Sequence, residues 1–261
     1  MNSIKTEKLK LGYDNSVIID EASFSIPENK ITVFIGANGC GKSTMIRSFA
    51  RLLKPMKGSI ILDGEIMSSI STKEIAKKLA ILPQGPVVSG SLTVRELVEM
   101  GRHPYQNWKN KHSELDKMLI DKALKSTQIF ELADKSLGAL SGGQRQRAWI
   151  AMILAQGTDI MLLDEPTTYL DMTHQIDILD LLYRLNREEK KTIVMVLHDL
   201  NLSCRYADHI IAIKDKSIYK KGSPKDVITK EVVRDVFNME CDIIKDPLYK
   251  TPMCIAYSKA L

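Results

Sequence analysis

Eight consecutive residues, Gly36-Ala37-Asn38-Gly39-Cys40-Gly41-Lys42-Ser43, restrict the fold more than any other stretch of this 261-residue chain. They follow a short β-branched run, Ile31 to Ile35, and precede a helical stretch, Thr44 to Leu53, that stops near Pro55. This is the G-x-x-x-x-G-K-[ST] pattern in the strand, loop and helix setting it requires. The glycines let backbone N–H groups turn inward around a β-phosphate, and the helix beginning at Thr44 adds the positive end of its dipole. Lys42 reaches the outer phosphates, and Ser43 offers a hydroxyl to Mg²⁺. An ordinary glycine-rich turn is the competing reading, and the matching context disfavours it.

Around that loop, short apolar runs alternate with helical patterns: Ile31 to Ile35, Ser59 to Leu62, Leu79 to Leu82, Ile160 to Leu163, Thr192 to Leu197 and Ile210 to Ile213. Such alternation predicts a mostly parallel sheet with helices on its faces. Hairpin-like strands around Ile4 to Leu9 and Ala22 to Ile26 predict an antiparallel sheet beside it. Between Gln84 and Gln156 the rhythm breaks, with Leu115, Met118 and Leu119 at helical spacing, which predicts an inserted helical subdomain. The expected organisation is one domain over residues 1–261. Its core is 1–84 and 157–222, its helical insert 85–156, and its α/β tail 223–261.

Bulk properties remove other classes. The longest apolar run, Ala148 to Ala155, is far short of the roughly 20 residues that cross a bilayer. Residues 1 to 11 mix lysines with polar residues and lack an apolar core, so a secretory signal is not expected. Cys40, Cys204, Cys241 and Cys254 are far apart in sequence with no C-x-x-C pair, which predicts free thiols. The net charge of +5 is spread along the chain and points to no particular partner.

Two further clusters carry chemistry. The run Ile160 to Leu163 ends in Asp164-Glu165-Pro166, and ligands of open α/β sheets bind at the carboxyl ends of strands. Asp164 is placed to hold Mg²⁺ through water and Glu165 to act as general base on an attacking water. A solvated strand-end turn is the alternative, and the phosphate loop upstream decides against it. Leu140-Ser141-Gly142-Gly143-Gln144 opens a helix that runs to Ala155, with Ser141 and Gln144 at capping-box spacing. Capping alone needs no glycine pair, whereas close approach of backbone N–H groups to a phosphate does.

The Leu140 to Gln144 pentapeptide resembles the signature of ATP-binding cassette (ABC) proteins, and the resemblance extends over essentially the whole chain. It implies an α/β fold, a P-loop NTPase cassette with a mixed, mainly parallel core sheet, an N-terminal antiparallel β-subdomain and an inserted α-helical subdomain. It further implies ATP hydrolysis with ATP and Mg²⁺. By the same resemblance Gln84 matches the Q-loop glutamine that touches Mg²⁺ and the attacking water. His198 matches the switch histidine on the γ-phosphate, and Asp171 the D-loop aspartate at a dimer seam. Tyr13 sits where the family stacks an aromatic ring on adenine. Read without the family, His198-Asp199 could be a helix entrance and Tyr13 an ordinary strand aromatic.

In this family the signature of one copy closes over nucleotide held by the other. The resemblance therefore implies a head-to-tail homodimer holding two ATP molecules, peripheral on the cytoplasmic face of the membrane through integral permease subunits. Softer motifs are similar to iron-siderophore importers, with cobalamin and haem importers as relatives. These are Leu92-Thr93-Val94-Arg95-Glu96-Leu97, Gly101-Arg102-His103-Pro104-Tyr105, Pro166-Thr167-Thr168-Tyr169-Leu170-Asp171, Asp246-Pro247 and Thr251-Pro252. They imply an extracytoplasmic siderophore-binding protein as an indirect partner, and a groove from Gln84 to about Tyr105 for a short permease helix. Cys40 departs from the usual serine, and Lys250 stands where a turn glycine is common. Soluble ABC proteins acting on nucleic acid or ribosomes are disfavoured, because the chain holds one cassette and neither a heptad run nor a basic arm. A module that no longer hydrolyses is countered by Glu165 and His198, and no nucleic-acid partner is expected.

Overall fold

The computed structural model describes residues 2–14, 16–86, 90–106 and 113–259. It runs β1 (Asn2–Tyr13), β2 (Ser16–Pro27), β3 (Ile31–Ile35), α1 (Lys42–Phe49), β4 (Lys57–Leu62), β5 (Glu65–Ile66), α2 (Thr72–Lys78) and β6 (Leu79–Leu82). Helices α3 (Val94–Met100), α4 (Glu114–Ser126) and α5 (Gly142–Ala155) follow, then β7 (Ile160–Leu163), α6 (Met172–Glu189), β8 (Thr192–Val196) and α7 (Leu200–Tyr206). The chain continues with β9 (His209–Lys214), β10 (Ser217–Gly222), α8 (Pro224–Val227), α9 (Lys230–Phe237), β11 (Met239–Lys245) and β12 (Pro252–Lys259).

The six-stranded sheet has the order β10-β9-β3-β8-β7-β6, parallel throughout except for β10 at one edge. Both of its faces are covered, so its strands read as continuous apolar runs and not as alternating ones. The pleat still sorts side chains by face. Val33, Ile35, Leu163 and Met195 join the core under the helices, while Phe34, Leu162, Val194 and Val196 join a second core under the antiparallel sheet. Phe24, Phe34 and Phe49 meet in that second core with ring centroids 6.0 to 6.2 Å apart. The antiparallel sheet, β2-β1-β4-β5, therefore backs the phosphate loop from one side.

Three sequence expectations need correction. Ser59 to Leu62 lies in the antiparallel sheet, where Leu62 pairs with Ile4 of β1. Its side chains alternate, Ile60 and Leu62 buried and Ser59 and Ile61 partly exposed, and Asp63-Gly64, both at positive φ, turn it directly into β5. That dipeptide is a hairpin signal which the short apolar run before it does not reveal. The first helix begins at Lys42 and ends at Phe49, because Arg51 adopts φ +58° and the chain turns away before Leu53. Finally, α4 exists, but Leu115 and Met118 face solvent while Ile120, Ala123 and Leu124 face the core.

The helical segment is seated by the residues that distinguish it. A Cβ on Gly101 would lie 2.1 Å from the Met152 carbonyl oxygen, so α3 reaches α5 only because position 101 has none. Arg102, 3% exposed, donates to Asp116 at 2.7 Å and to the Ala155 and Gln156 carbonyls at 2.8 and 3.2 Å. It thereby satisfies two orphan carbonyls at the end of α5. The cysteines carry no disulfide. Folding nonetheless brings the thiols of Cys204 on α7 and Cys241 on β11 near Cys254 of β12. Burial pushes the Cys204 and Cys254 thiols up to about 12.

Candidate active site

The phosphate loop leaves β3 and enters α1. Gly36 adopts φ +148°, and a Cβ there would lie 2.5 Å from the Ile213 carbonyl oxygen and 2.7 Å from Cys40 Sγ, so only glycine fits. The Cys40 thiol fills the space beneath Gly36, and burial pushes its pKa up. Lys42, 5% exposed, lies along the loop with Nζ donating to the Gly36 and Ala37 carbonyls at 2.9 Å each. A buried ammonium needs such partners, and carbonyls are weaker ones than phosphate oxygens. The arrangement is a cationic cradle closed on itself.

Across from it, β7 delivers Asp164 and Glu165. Asp164 is 2% exposed, and its backbone N–H donates to Leu82 O at 2.9 Å, which extends the pairing of β7 with β6 to the strand end. Burial pushes the Asp164 carboxyl up, a bond from Ser43 pulls it down, and neighbouring Glu165 pushes it further up. The Ser43 hydroxyl donates to Asp164 Oδ1 at 2.8 Å. One hydroxyl and one carboxylate beside a phosphate cradle form a hard-oxygen set of the kind Mg²⁺ shares with substrate phosphates. No group of three or more His, Cys, Asp or Glu side chains suited to a metal occurs among the described residues, so nothing resembles a dedicated protein cage.

Glu165 has left-handed backbone, φ +55°, a conformation that costs a non-glycine residue of order 1–3 kcal/mol and persists only where surroundings enforce it. Three groups do so. Gln84 Nε2 donates to Oε2 at 2.7 Å, the Thr168 hydroxyl donates to Oε2 at 2.9 Å, and His198 Nε2 lies 2.7 Å from Oε1. Gln84 comes from the end of β6, His198 from the end of β8 and Thr168 from the turn after β7. Three adjacent parallel strands thus aim their carboxyl ends at one carboxylate.

The structure brings Asn38, Gly39, Gly41, Lys42, Ser43, Thr44, Gln84, Glu165 and His198 to one open cavity of about 520 Å³. Thr168, Tyr169 and Ile18 also line it, although the sequence analysis assigns none of them to the nucleotide site. Thr168 had a signal, a hydroxyl three residues after Glu165 at turn spacing; Ile18 and Tyr169 had none. Tyr13 does not line this cavity; it ends β1 and is partly exposed. Asp171 caps α6 by accepting from the His174 backbone N–H at 2.9 Å. Ser141 and Gln144 form the expected capping box at the start of α5.

A neighbouring cleft of about 360 Å³ runs from Pro83, Gly85, Pro86 and Gly90 to Gly142, Trp149 and Leu170, and it shares Glu165 and Thr168 with the first. The groove expected between Gln84 and Tyr105 overlaps this cleft, and its residues 87–89 lie outside the described residues. No helix among the described residues is long and apolar enough to cross a membrane.

A family model described as ABC transporter matches residues 19–168. The chain belongs to the ABC transporter family. This ABC cassette is 60% identical over 259 residues to the probable siderophore transport system ATP-binding protein YusV of Bacillus subtilis, covering 99% of this chain and 94% of that one. It is 58% identical over 257 residues to the petrobactin import ATP-binding protein FpuD of Bacillus anthracis, covering 98% and 94%. Among solved structures it resembles a bacterial ABC transporter cassette determined as a dimer, with TM-score 0.73 and 29% identity over 84% of this chain and 98% of that one. Like other members of the family, this cassette is an ATPase.

Proposed function

We propose that this ABC cassette energises import of ferric siderophores, working as two copies beneath integral permease subunits on the cytoplasmic face of the membrane. Residues 1–84 and 157–222 form the part that grips nucleotide, 85–156 the helical part that carries Ser141, and 223–261 the tail. The observation that carries the chemistry is the convergence of Gln84, Thr168 and His198 on Glu165, opposite the Lys42 cradle. The siderophore assignment is supported by 60% identity over nearly the whole chain to a probable siderophore transport system ATP-binding protein.

In this reading Lys42 exchanges the Gly36 and Ala37 carbonyls for the outer phosphates of ATP, while the N–H groups of the Gly36 to Thr44 turn surround the β-phosphate. Ser43 and Asp164, with Gln84, would hold Mg²⁺, which would supply positive charge against the phosphate oxygens. Glu165 accepts the proton of the attacking water. Gln84 and Thr168 keep its carboxylate aimed, and His198 turns from Glu165 to the γ-phosphate once nucleotide arrives. Tyr13 stacks on adenine. The Ser141-Gly142-Gly143 turn of the second copy, with Asp171 at the seam, closes the site. The segment from Gln84 to about Tyr105 forms the groove that receives a short helix of the permease.

The test is uptake of iron-labelled siderophore by a strain lacking the gene. Restoration by the parent chain but not by a Lys42→Ala chain is expected. Unchanged siderophore uptake with loss of cobalamin or haem uptake would transfer the cargo to those classes.

A further inference from the structure

The first turn of α5 and the start of α6 are held face to face. A Cβ on Gly143 would lie 2.2 Å from Cδ2 of His174, 3.0 Å from Cγ and 3.1 Å from Nε2. The imidazole therefore occupies the space in which a side chain at 143 would stand. The other edge of the same ring faces Asp171, with Nδ1 2.8 Å from Oδ1 and 2.9 Å from Oδ2. The contact continues beyond the ring. A Cβ on Gly142 would meet Leu170 Cδ2 at 3.5 Å, and one turn along Arg147 of α5 lies 3.5 Å from Asp177 of α6.

Helix capping accounts for only part of this. Asp171 caps α6 through the backbone N–H of residue 174, which any side chain at that position would provide. Capping does not require a ring at 174, nor does it put that ring beneath the second glycine of the Ser141 turn. We propose that His174 is a positioning residue that ties Asp171 to the Gly142-Gly143 backbone. The two elements that one copy presents to its twin's nucleotide then move as one body. The inference rests on the functional reading above, in which the Ser141 turn closes a site in a second copy. It also gives Gly143 a reason within its own chain: a methyl group there would collide with the ring before it met any phosphate.

Three full-length variants separate the contacts. His174→Ala removes both, His174→Asn keeps a donor near the place of Nδ1, and His174→Phe keeps a ring beneath Gly143. None touches the backbone cap of α6. For each, ATP affinity is measured on the purified chain by equilibrium binding, and kcat and KM for ATP hydrolysis on the chain assembled with its permease. The expected result for His174→Ala is an affinity within about twofold of the parent and a kcat lowered about tenfold, with Asn and Phe each recovering part of the loss. A kcat within about twofold of the parent would overturn the proposal. So would an affinity that falls in step with kcat, or Asn and Phe variants no better than Ala, since either pattern marks a role in folding alone. A parent chain that neither binds nor hydrolyses ATP would instead sink the underlying reading of the site, and the role of His174 with it.

Discussion

Replacing Glu165 by glutamine exchanges one carboxylate oxygen for an amide nitrogen at the point where three side chains converge. The glutamine oxygen can still accept from the Thr168 hydroxyl or from His198 Nε2, which now lie 2.9 and 2.7 Å from the carboxylate. Its new N–H groups can meet the Gln84 side-chain carbonyl after a flip of that amide. Backbone strain at φ +55° is the same for both residues. Stability should therefore change by no more than about 1.5–3 kcal/mol, the scale of one hydrogen bond to a charged group. Proton acceptance, by contrast, is lost outright. General-base catalysis contributes about 10²- to 10⁴-fold, equivalent to roughly 3–5 kcal/mol of barrier at 1.36 kcal/mol per tenfold. The assay is phosphate release by the cassette assembled with its permease, beside equilibrium binding of ATP to the same protein. Phosphate release is expected to fall at least about a hundredfold with ATP retained. A Glu165→Gln chain hydrolysing at more than about a tenth of the parent rate would refute the assignment of Glu165 as base.

Thr168→Val removes one donor from the Glu165 carboxylate without touching the phosphate cradle. A hydrogen bond to a charged group is worth about 1.5–3 kcal/mol, so kcat should fall roughly ten- to a hundredfold with KM for ATP unchanged; a shift in KM alone would contradict the role. Arg102→Met leaves Asp116 without its cation and two helix-end carbonyls without a donor, at a cost of about 3–5 kcal/mol. Thermal unfolding of the whole chain should report it as a Tm lower by roughly 6–20 °C. Asp116 also sets a pH dependence. Burial raises its pKa, but bonds from the Ser113 backbone, Arg102 and the Ser113 hydroxyl outweigh that and hold the carboxyl below its ordinary range. The stabilisation is therefore fully present above the ordinary aspartate pKa and is lost as pH falls through the lowered value. Acid unfolding of Asp116→Asn should lack that component.

Where a motif and its flanking elements were contiguous, the sequence was enough to place it. Ile31 to Ile35 forms a buried strand, Gly36 to Ser43 turns around the Lys42 ammonium, and Ile160 to Leu163 ends with two acids at the sheet's carboxyl edge. These follow from local rules, namely an apolar run of strand length, glycines at positive φ and a proline that stops the strand. What stayed hidden depended on pairs distant in sequence. Ser59 to Leu62 has the composition of a central strand and joins the antiparallel sheet because its partner is Ile4 to Glu7. Leu115 and Met118 have helical spacing but face water, since Asp116, one position away, is drawn inward by Arg102. Thr168, three residues from Glu165, could be found by asking which nearby hydroxyl might hold that carboxylate. The ring of His174 under Gly143 could not, because nothing in either segment names the other. Lys250 is the reverse case: it adopts φ +60°, the conformation that makes glycine common at such a turn.

In the proposed cycle nucleotide is gripped by Lys42 of one copy and closed by Ser141 of another. A structure of the Glu165→Gln cassette with magnesium-ATP, assembled with its permease, tests this most directly. Two copies head to tail are expected, each ATP held between one copy's Lys42 and the other's Ser141 and Gly143 backbone. ATP bound to Lys42 with both Ser141 turns facing solvent, or closed by the signature of the same chain, would contradict it.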